Sequence, residues 1–313
     1  MSTSVSSWFQ SDECLDFYRT LSFVEAFECH IERDGKVKGR IVGYVQRDGG
    51  PIKRFLSRRA VINGGPMLAE DITEDEFTKL LDECRSLLRG KAIYCETRNF
   101  NDYGRYESAF LRNGWQYEAH YNFHVDTSSV EAVESKLGKS RKRDIRTSLR
   151  EGAEFGEARN EQEVSDLYAL LVNLYRTKVR TPLFPYEFFL KLYRSSWGRI
   201  FVVRYRNRVV GGTVCVCGGD VVYEWFACGE DGGIRNVYPS TLATYAGIMY
   251  AAENGYRRFD MMGAGAPGDG GYGVRDFKAK FGGELVEHGR FRYIGNRLLY
   301  KAGVMGVKFL KRH

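Results

Sequence analysis

The second half of the chain shows three runs in which β-branched and aromatic residues dominate, followed by a run with helical spacing. The three runs are residues 199–206, 209–217 and 221–229. Turns at Asn207 and at Gly218 and Gly219 separate them, so they predict an antiparallel meander. The run after the meander predicts a helix with one apolar face. Ser240 would cap this helix and Gly255 would end it. That face carries Leu242, Tyr245, Ala246, Met249 and Tyr250.

The elements around this meander complete a defined order. A strand at 257–262, a glycine-rich loop, a helix at 274–283 and a strand at 284–294 follow it. Two amphipathic helices precede it, one around Val164 to Leu174 and one after Pro182. The predicted order is therefore helix, helix, three strands, helix, strand, helix, strand.

The first half repeats the end of that order. Thr73 and Glu76 form a capping box that opens a helix ending at Gly90. A strand, a polar turn at 98–104, a short helix and a strand at 115–125 then follow. The sequence therefore predicts a mixed α+β fold made of two tandem units, 1–130 and 131–313. Each unit would have a mixed, largely antiparallel sheet flanked by helices.

Composition narrows the class of protein. Hydrophobic residues make up 43% and charged residues 28% of the 313 residues, which is typical of a soluble globular chain. No apolar run approaches the roughly 20 residues of a membrane span, and the N-terminus lacks the pattern of a secretion signal. We therefore expect a cytoplasmic protein. Its seven cysteines are scattered, which predicts reduced thiols, and no Cys/His spacing indicates a metal site.

Positive charge is concentrated between residues 136 and 150. This segment holds seven of the 47 basic residues, with Asp144 as its only acid. The scarcity of acidic partners predicts contact with phosphate groups, for which we single out Arg143 and Arg146. The alternative is a solvated helix face.

The glycine-rich loop is the strongest candidate for a ligand-facing wall. Six glycines lie between Gly263 and Gly273, and Arg275 and Lys278 follow them. Glycine allows positive φ and close approach of the backbone, and cations next to exposed amides suit an anionic ligand. Gly263, Gly265 and Arg275 are therefore predicted to bind substrate.

Proton transfer and stacking have separate candidates. Glu224, on the third strand of the meander, and Asp260, on the strand that enters the loop, are candidate bases, although a structural role explains either as well. Tyr223, Trp225 and Tyr272 could stack on a sugar or base, or belong to the core. The five histidines have no serine or cysteine in a nucleophile motif, which argues against a hydrolase.

Four segments carry a resemblance to a known family. They are SRKRDIRTSLREG (140–152), YEWFACG (223–229), the run 238–265 and the run 272–291. With the predicted element order, they resemble the FemABX-type peptidoglycan bridge aminoacyltransferases and relatives with a BioF2-like acetyltransferase domain. That family has two tandem units of the Gcn5-related N-acetyltransferase (GNAT) fold.

The resemblance implies an activity and a role for one lysine. The activity is transfer of an aminoacyl or acyl group to an amine of a cell-envelope precursor, nucleotide-linked or lipid-linked, without a metal, a tightly bound cofactor or a covalent intermediate. Lys278 matches the lysine of the family's Phe-Lys motif near the acceptor phosphates. The donor would be aminoacyl-tRNA or acyl-CoA. The sequence IRNVYPST (234–241) lacks the glycines of a CoA pyrophosphate loop, which weakens the second option.

Other interpretations stay open. The acceptor could belong to a peptidoglycan, polysaccharide or lipid pathway, and the chain could be a non-catalytic module that binds RNA or a glycan precursor. The first unit has Phe110 or Leu111 where Lys278 would fall, so we expect it to be a non-catalytic wall of the acceptor cleft. The basic, apolar tail 298–313 could touch an anionic membrane surface, but packing of Leu298, Leu299 and Val304 onto the domain is the simpler expectation.

Overall fold

A computed structural model describes residues 7–46, 57–269 and 273–312 of the chain, with side chains as far as residue 306. The chain forms two compact units. The first comprises residues 1–120 together with 287–313, and the second comprises residues 121–286. Among the described residues, no helix is both long and apolar enough to cross a membrane.

The first unit is a mixed sheet with helices packed on it. Its elements are α1 (Asp12–Thr20), β1 (Val24–Arg33), β2 (Lys36–Gln46), β3 (Arg59–Gly64), β4 (Met67–Leu68), α2 (Glu74–Leu88), β5 (Tyr94–Asn99), α3 (Glu107–Arg112), β6 (Trp115–Glu118), β14 (Arg290–Ile294) and α10 (Arg297–Arg312). The strand order is β1-β2-β3-β5-β14-β6, with β4 paired to β2. Only β3 and β5 run parallel to each other among the pairs described for this sheet.

The second unit has the same kind of sheet. Its elements are β7 (Tyr121–Asp126), α4 (Val130–Lys136), α5 (Lys139–Arg150), β8 (Glu154–Glu157), α6 (Glu161–Leu174), α7 (Tyr186–Tyr193), β9 (Gly198–Tyr205), β10 (Arg208–Gly218), β11 (Val221–Gly229), α8 (Pro239–Glu253), β12 (Arg258–Asp260), α9 (Gly273–Ala279) and β13 (Glu284–Glu287). The strand order is β13-β7-β12-β11-β10-β9-β8, and α8 packs on the meander β9 to β11. The predicted class, two mixed sheets flanked by helices in tandem GNAT-like units, is confirmed.

Local signals explain most helix starts. Thr73 and Glu76 form the predicted capping box at α2, and the side chain of Asn160 accepts the Glu163 N–H at α6. The predicted cap Ser240 is wrong, because α8 begins at Pro239 and Ser240 lies in its first turn. Proline at the first helical position is preorganised for the helix, which moves the start one residue earlier.

The division of the chain differs from the predicted boundary at residue 130. Each of the two long strands predicted at 115–125 and 284–294 breaks in two, and its second part joins the sheet of the other unit. Gly289, with φ of +61°, makes one break, and a side chain there would collide with the ring of Tyr117. The first unit therefore contains a strand from the C-terminal end of the sequence.

A buried ion cluster holds that strand in the first sheet. The carboxylate of Glu96 on β5 accepts hydrogen bonds from Arg98 (3.1 Å), Arg290 (3.3 Å) and Arg292 (2.6 Å). Two of these arginines lie on β14, so the cluster joins adjacent strands. Next to it, the rings of Phe110 and Phe291 stack with centroids 3.9 Å apart.

The C-terminal tail is helical from Arg297 to Arg312 despite its glycines. The predicted packing of three residues onto the domain is wrong for Leu298, which is 82% exposed, and for Val304, which is 38% exposed, whereas Leu299 is half-buried. In contrast, Tyr300 on the same helix packs edge-on against Tyr94 of β5.

The Glu96 cluster predicts a pH-dependent stability. Burial opposes ionisation of Glu96, but its arginine partners outweigh that effect and lower its pKa from 4.5 to about 2. A folded-state pKa below the unfolded value stabilises the protein above about pH 4.5, and the gain is lost as the pH falls towards 2. That difference corresponds to about 3 kcal/mol. We therefore expect Glu96→Gln to lower the unfolding free energy by about this amount near neutral pH.

Urea denaturation of both proteins at neutral pH and near pH 3.5 measures this difference. The matched control is Glu118→Gln, which removes another carboxylate that accepts from Arg292 but is 43% exposed; its cost should stay below about 1 kcal/mol. Equal losses in the two variants, or a Glu96→Gln loss that persists undiminished in acid, would contradict the assignment.

Candidate active site

The site begins where two parallel strands separate. Strand β11 pairs with β12 only from Val221 to Tyr223, and beyond that point it continues beside β10 alone. A bulge then interrupts its pairing with β10, because Val214 and Cys215 lie opposite Phe226 and Glu224, which leaves Trp225 as the extra residue. Strand β11 therefore carries Glu224 past the end of β12, at the point where the glycine-rich loop starts.

Two buried polar side chains shape the start of that loop. The carboxylate of Asp260 accepts from the Met262 N–H and from the Asn122 amide, both at 2.7 Å. The Asn122 oxygen in turn accepts from the Gly263 N–H at 2.8 Å. The backbone needs this support, since Met262 has φ of +52°, which is unusual for a residue with a side chain.

Asp260 also lies against a histidine. The Nε2 atom of His124, on β7, lies 3.1 Å from Oδ2 of Asp260. Burial opposes ionisation of Asp260, but His124 and Asn122 outweigh it, so the pKa of Asp260 lies below its ordinary value. A fully buried, ionised carboxylate that accepts hydrogen bonds from its own loop acts as a positioning group.

Two cationic side chains of α9 donate hydrogen bonds to backbone carbonyls of the loop. The Lys278 ammonium donates to the carbonyl oxygens of Met261 and, at 3.0 Å, of Gly263. One helical turn earlier, Arg275 donates to the carbonyls of Ala264 (3.0 Å) and Ala266. Both cations therefore hold the loop, in addition to any contact with a ligand.

Glu224 and Lys278 form a buried pair. Their Oε2 and Nζ atoms lie 3.8 Å apart, and the side chains are 2% and 14% exposed. Glu224 also accepts from the hydroxyls of Thr244 (2.8 Å) on α8 and Thr213 (3.4 Å) on β10. The pair thus connects β11, β10, α8 and α9 at the mouth of the loop.

The pKa of each member of the pair is shifted from its ordinary value. Burial raises the pKa of Glu224, with Lys278 opposing the shift, and burial lowers the pKa of Lys278, with Glu224 opposing it. Both shifts favour the neutral forms, which brings the states with the proton on nitrogen and on oxygen closer in energy. Lys278 is the more exposed member of the pair.

The N-terminus of α8 is already occupied by protein atoms. The Ser240 N–H donates to the carboxylate of Asp231 at 3.1 Å, Pro239 has no N–H, and the Tyr238 N–H donates to the Ser148 hydroxyl at 3.0 Å. This helix end would hold the pyrophosphate of CoA in a GNAT enzyme. A carboxylate in that position repels a pyrophosphate.

The basic segment lies next to the site. It forms α5, and Arg141 at its start is buried against the rings of Phe277 and Phe281, with a hydrogen bond to the Phe277 carbonyl at 3.3 Å. Arg141 therefore attaches α5 to the helix that carries Lys278. Arg143, which is 73% exposed beside Asp144, and Arg146 point to solvent.

The structure brings most of the predicted residues together. Glu224, Asp260, Gly263, Gly265, Arg275 and Lys278 all lie at or around the loop. Tyr223 is different, because its side chain is only 1% exposed and lies in the core, where it cannot stack on a ligand. Tyr272 lies outside the described residues.

Sequence reasoning missed several partners. Asn122, His124, Asp231 and Thr244 contact the site through hydrogen bonds or an ion pair. Asn122 is 138 positions from Asp260, so no local pattern connects them. Asp231 is nine positions from Ser240, farther than the two or three residues over which a helix cap acts.

Among the described residues, no group of three or more histidine, cysteine or acidic side chains could hold a metal ion.

The comparisons with known proteins agree with the fold of two GNAT-like units. Residues 139–278 match the family model described as Acetyltransferase (GNAT) domain. A solved structure of FemX superposes with a TM-score of 0.70 over 95% of this chain and 94% of FemX, at 13% sequence identity. The chain has a FemABX-like acetyltransferase fold.

Two further structures share this fold. One, from Agrobacterium fabrum, is described as the C-terminal domain of a lysylphosphatidylglycerol synthetase; it superposes with a TM-score of 0.60 over 96% of this chain and 93% of its own, at 14% identity. The other, L-PGS from Bacillus licheniformis, has a TM-score of 0.57, coverage of 97% and 98%, and 14% identity. No significant match was found among curated proteins. The domain match over residues 139–278 supports acyltransferase activity.

Proposed function

We propose that this protein transfers an aminoacyl group from aminoacyl-tRNA to an amine of a nucleotide-linked or lipid-linked cell-envelope precursor. The observation that carries the proposal is the buried Glu224–Lys278 pair at the mouth of the glycine-rich loop. It supplies a proton acceptor in a GNAT-like unit without needing a metal. The names of FemX and of the lysylphosphatidylglycerol synthetase support an acceptor in the envelope.

The chemistry follows from the pair. The neutral amine of the acceptor attacks the ester carbonyl of the donor, and the bond between that carbonyl and the ribose oxygen breaks. When the proton shared by the pair lies on Glu224, Lys278 is neutral and accepts a proton from the attacking amine. Lys278 then passes this proton to the leaving ribose oxygen, which departs as a hydroxyl. A base whose pKa lies near the working pH contributes about 10²–10⁴ in rate.

The donor is inferred from the α8 N-terminus and from α5. Asp231 opposes a pyrophosphate at the helix end, whereas an ester on the ribose of a tRNA needs no such cradle. The exposed arginines of α5, attached to the Lys278 helix through Arg141, suit the phosphates of the tRNA end. We place the reaction in the cytoplasm, where charged tRNA is available.

Transfer of label is the direct test. With tRNA carrying radiolabelled amino acids and a peptidoglycan precursor ending in a free amine, the native protein should form labelled acceptor. Lys278→Met should reduce the rate at least about 100-fold, because the exposed member of the proton-accepting pair is lost. The matched control is Lys280→Met on the same segment, whose side chain is exposed and should be dispensable.

A second variant separates the loss of activity from the loss of stability. Lys278→Met leaves the buried Glu224 carboxylate without its counter-charge, so it also costs stability. Combining it with Glu224→Gln restores neutrality and should recover stability but not activity. Full activity in Lys278→Met, or recovery of activity in the double variant, would contradict the proposed role.

Donor class is tested by binding. Bulk tRNA should bind saturably at moderate salt and coenzyme A should not. Reversing charge at Arg143 and Arg146 with glutamate should weaken tRNA binding about tenfold or more, because phosphate contacts are lost. The control reverses Arg19 and Arg112, which are 59% and 58% exposed on the first unit.

Those control substitutions change the net charge equally and should have little effect. Saturable CoA binding together with tRNA binding that vanishes at moderate salt would favour the acyl-CoA-dependent transferase instead. If tRNA or precursor binds but no donor forms product, the chain is a binding module.

A further inference from the structure

Helix α10 is attached to the first unit through one of its sides. The side chain of Asn296 accepts the Leu299 N–H at 3.0 Å and caps the start of the helix. The Tyr300 ring packs edge-on against Tyr94 with centroids 5.4 Å apart, and its hydroxyl accepts from Arg292 at 3.0 Å. These contacts fix which face of α10 points towards the sheet and which face points to solvent.

The face that points to solvent carries an apolar stripe. Leu298 is 82% exposed, Met305 is 64% exposed, and Ala302 between them is exposed as well. Positions i, i+4 and i+7 lie in one line along a helix. Leu298 is two residues from Tyr300, a rotation of about 200°, so the stripe lies nearly opposite the side that contacts the sheet. Single exposed apolar residues are ordinary, whereas a continuous exposed stripe indicates an interaction surface.

Positive charge borders this stripe. Residues 297–313 include five lysines and arginines and no acidic residue. The exposed side chain of Lys301 lies between Leu298 and Met305 along the edge of the stripe, and Arg297, also exposed, lies one turn before Lys301. An outward face that combines apolar residues with cations is typical of a helix that lies in the interface of an anionic membrane.

A lipid surface is the partner that matches both features. Its acyl boundary takes up apolar side chains, and its phosphate groups attract lysine and arginine, whose long stems reach back to the headgroups. A nucleic-acid backbone offers phosphates but no apolar phase for Leu298 and Met305. A second copy of α10, packed through the same stripe, would bring like charges together, which is unfavourable.

We propose that α10 binds the surface of a bilayer that contains anionic phospholipid. Leu298, Ala302 and Met305 would enter the acyl boundary, and Arg297 and Lys301 would meet the lipid phosphates. The helix axis would lie in the membrane plane, with its opposite side still attached to the first unit. This attachment does not depend on the transfer reaction proposed for the second unit.

Co-sedimentation of the full-length protein with lipid vesicles tests this surface. Vesicles of phosphatidylcholine with about one third phosphatidylglycerol should bind the protein at least about tenfold more tightly than vesicles of phosphatidylcholine alone. Leu298→Gln combined with Met305→Gln should weaken binding to the mixed vesicles at least about tenfold, because the apolar contact is lost. The matched control is Leu111→Gln combined with Leu285→Gln, which replaces two apolar residues that are each 47% exposed elsewhere.

A fluorescent label reports where the protein meets lipid. All seven native cysteines are buried, so a cysteine introduced by Met305→Cys should take a nitrobenzoxadiazole label selectively. The emission of this dye rises in apolar surroundings. It should therefore rise when the labelled protein binds the mixed vesicles, whereas the same label introduced by Leu111→Cys should not respond.

Three results would overturn the proposal. One is undiminished vesicle binding in the variant that combines Leu298→Gln with Met305→Gln. Another is vesicle binding that only Arg143→Glu with Arg146→Glu removes, which would assign the lipid contact to α5. The third is a dimer of the native protein that the Leu298→Gln and Met305→Gln variant dissociates without any loss of vesicle binding, which would assign the stripe to a second copy of the chain.

Discussion

A buried pair of opposite charges, Glu224 and Lys278, is the interaction on which the second unit depends. Burying either charge without the other would cost the protein several kcal/mol of stability. Each therefore requires the other, and each requires the elements that deliver it: the bulged end of β11 for Glu224, and α9 for Lys278. Thr244 and Thr213 complete the shell around the carboxylate. In the proposed reaction, the same pair accepts the proton of the attacking amine.

The glycine-rich loop makes sense as part of this arrangement. Its carbonyls accept from Lys278 and Arg275, while its N–H groups donate to Asn122 and Asp260. The loop is thus held from both sides through its backbone, which explains why glycine rather than larger residues occupies Gly263 and Gly265, both at positive φ. Arg141 then attaches the basic helix α5 to α9, so the exposed arginines of α5 and the Glu224–Lys278 pair share one support.

The sequence predicted the element order well, because capping and periodicity act over a few residues. The capping box at Thr73 and the three-strand meander are of this kind. Alternation of residues identifies a strand but does not say which sheet it joins, so the break at Gly289 and the new place of β14 were missed. The same limit applies to the site: Glu224 and Lys278 were recognised singly, whereas Asn122 and Asp231 act through contacts that no local pattern encodes.

The most direct measurement is the titration of the Lys278 side chain by nitrogen NMR in protein labelled at lysine. We expect a pKa below the ordinary lysine value of 10.5, because burial outweighs the attraction of Glu224. It also predicts a further decrease in Glu224→Gln, where that attraction is gone. A midpoint at or above 10.5, or one that Glu224→Gln leaves unchanged, would contradict the buried pair as the proton acceptor of the site.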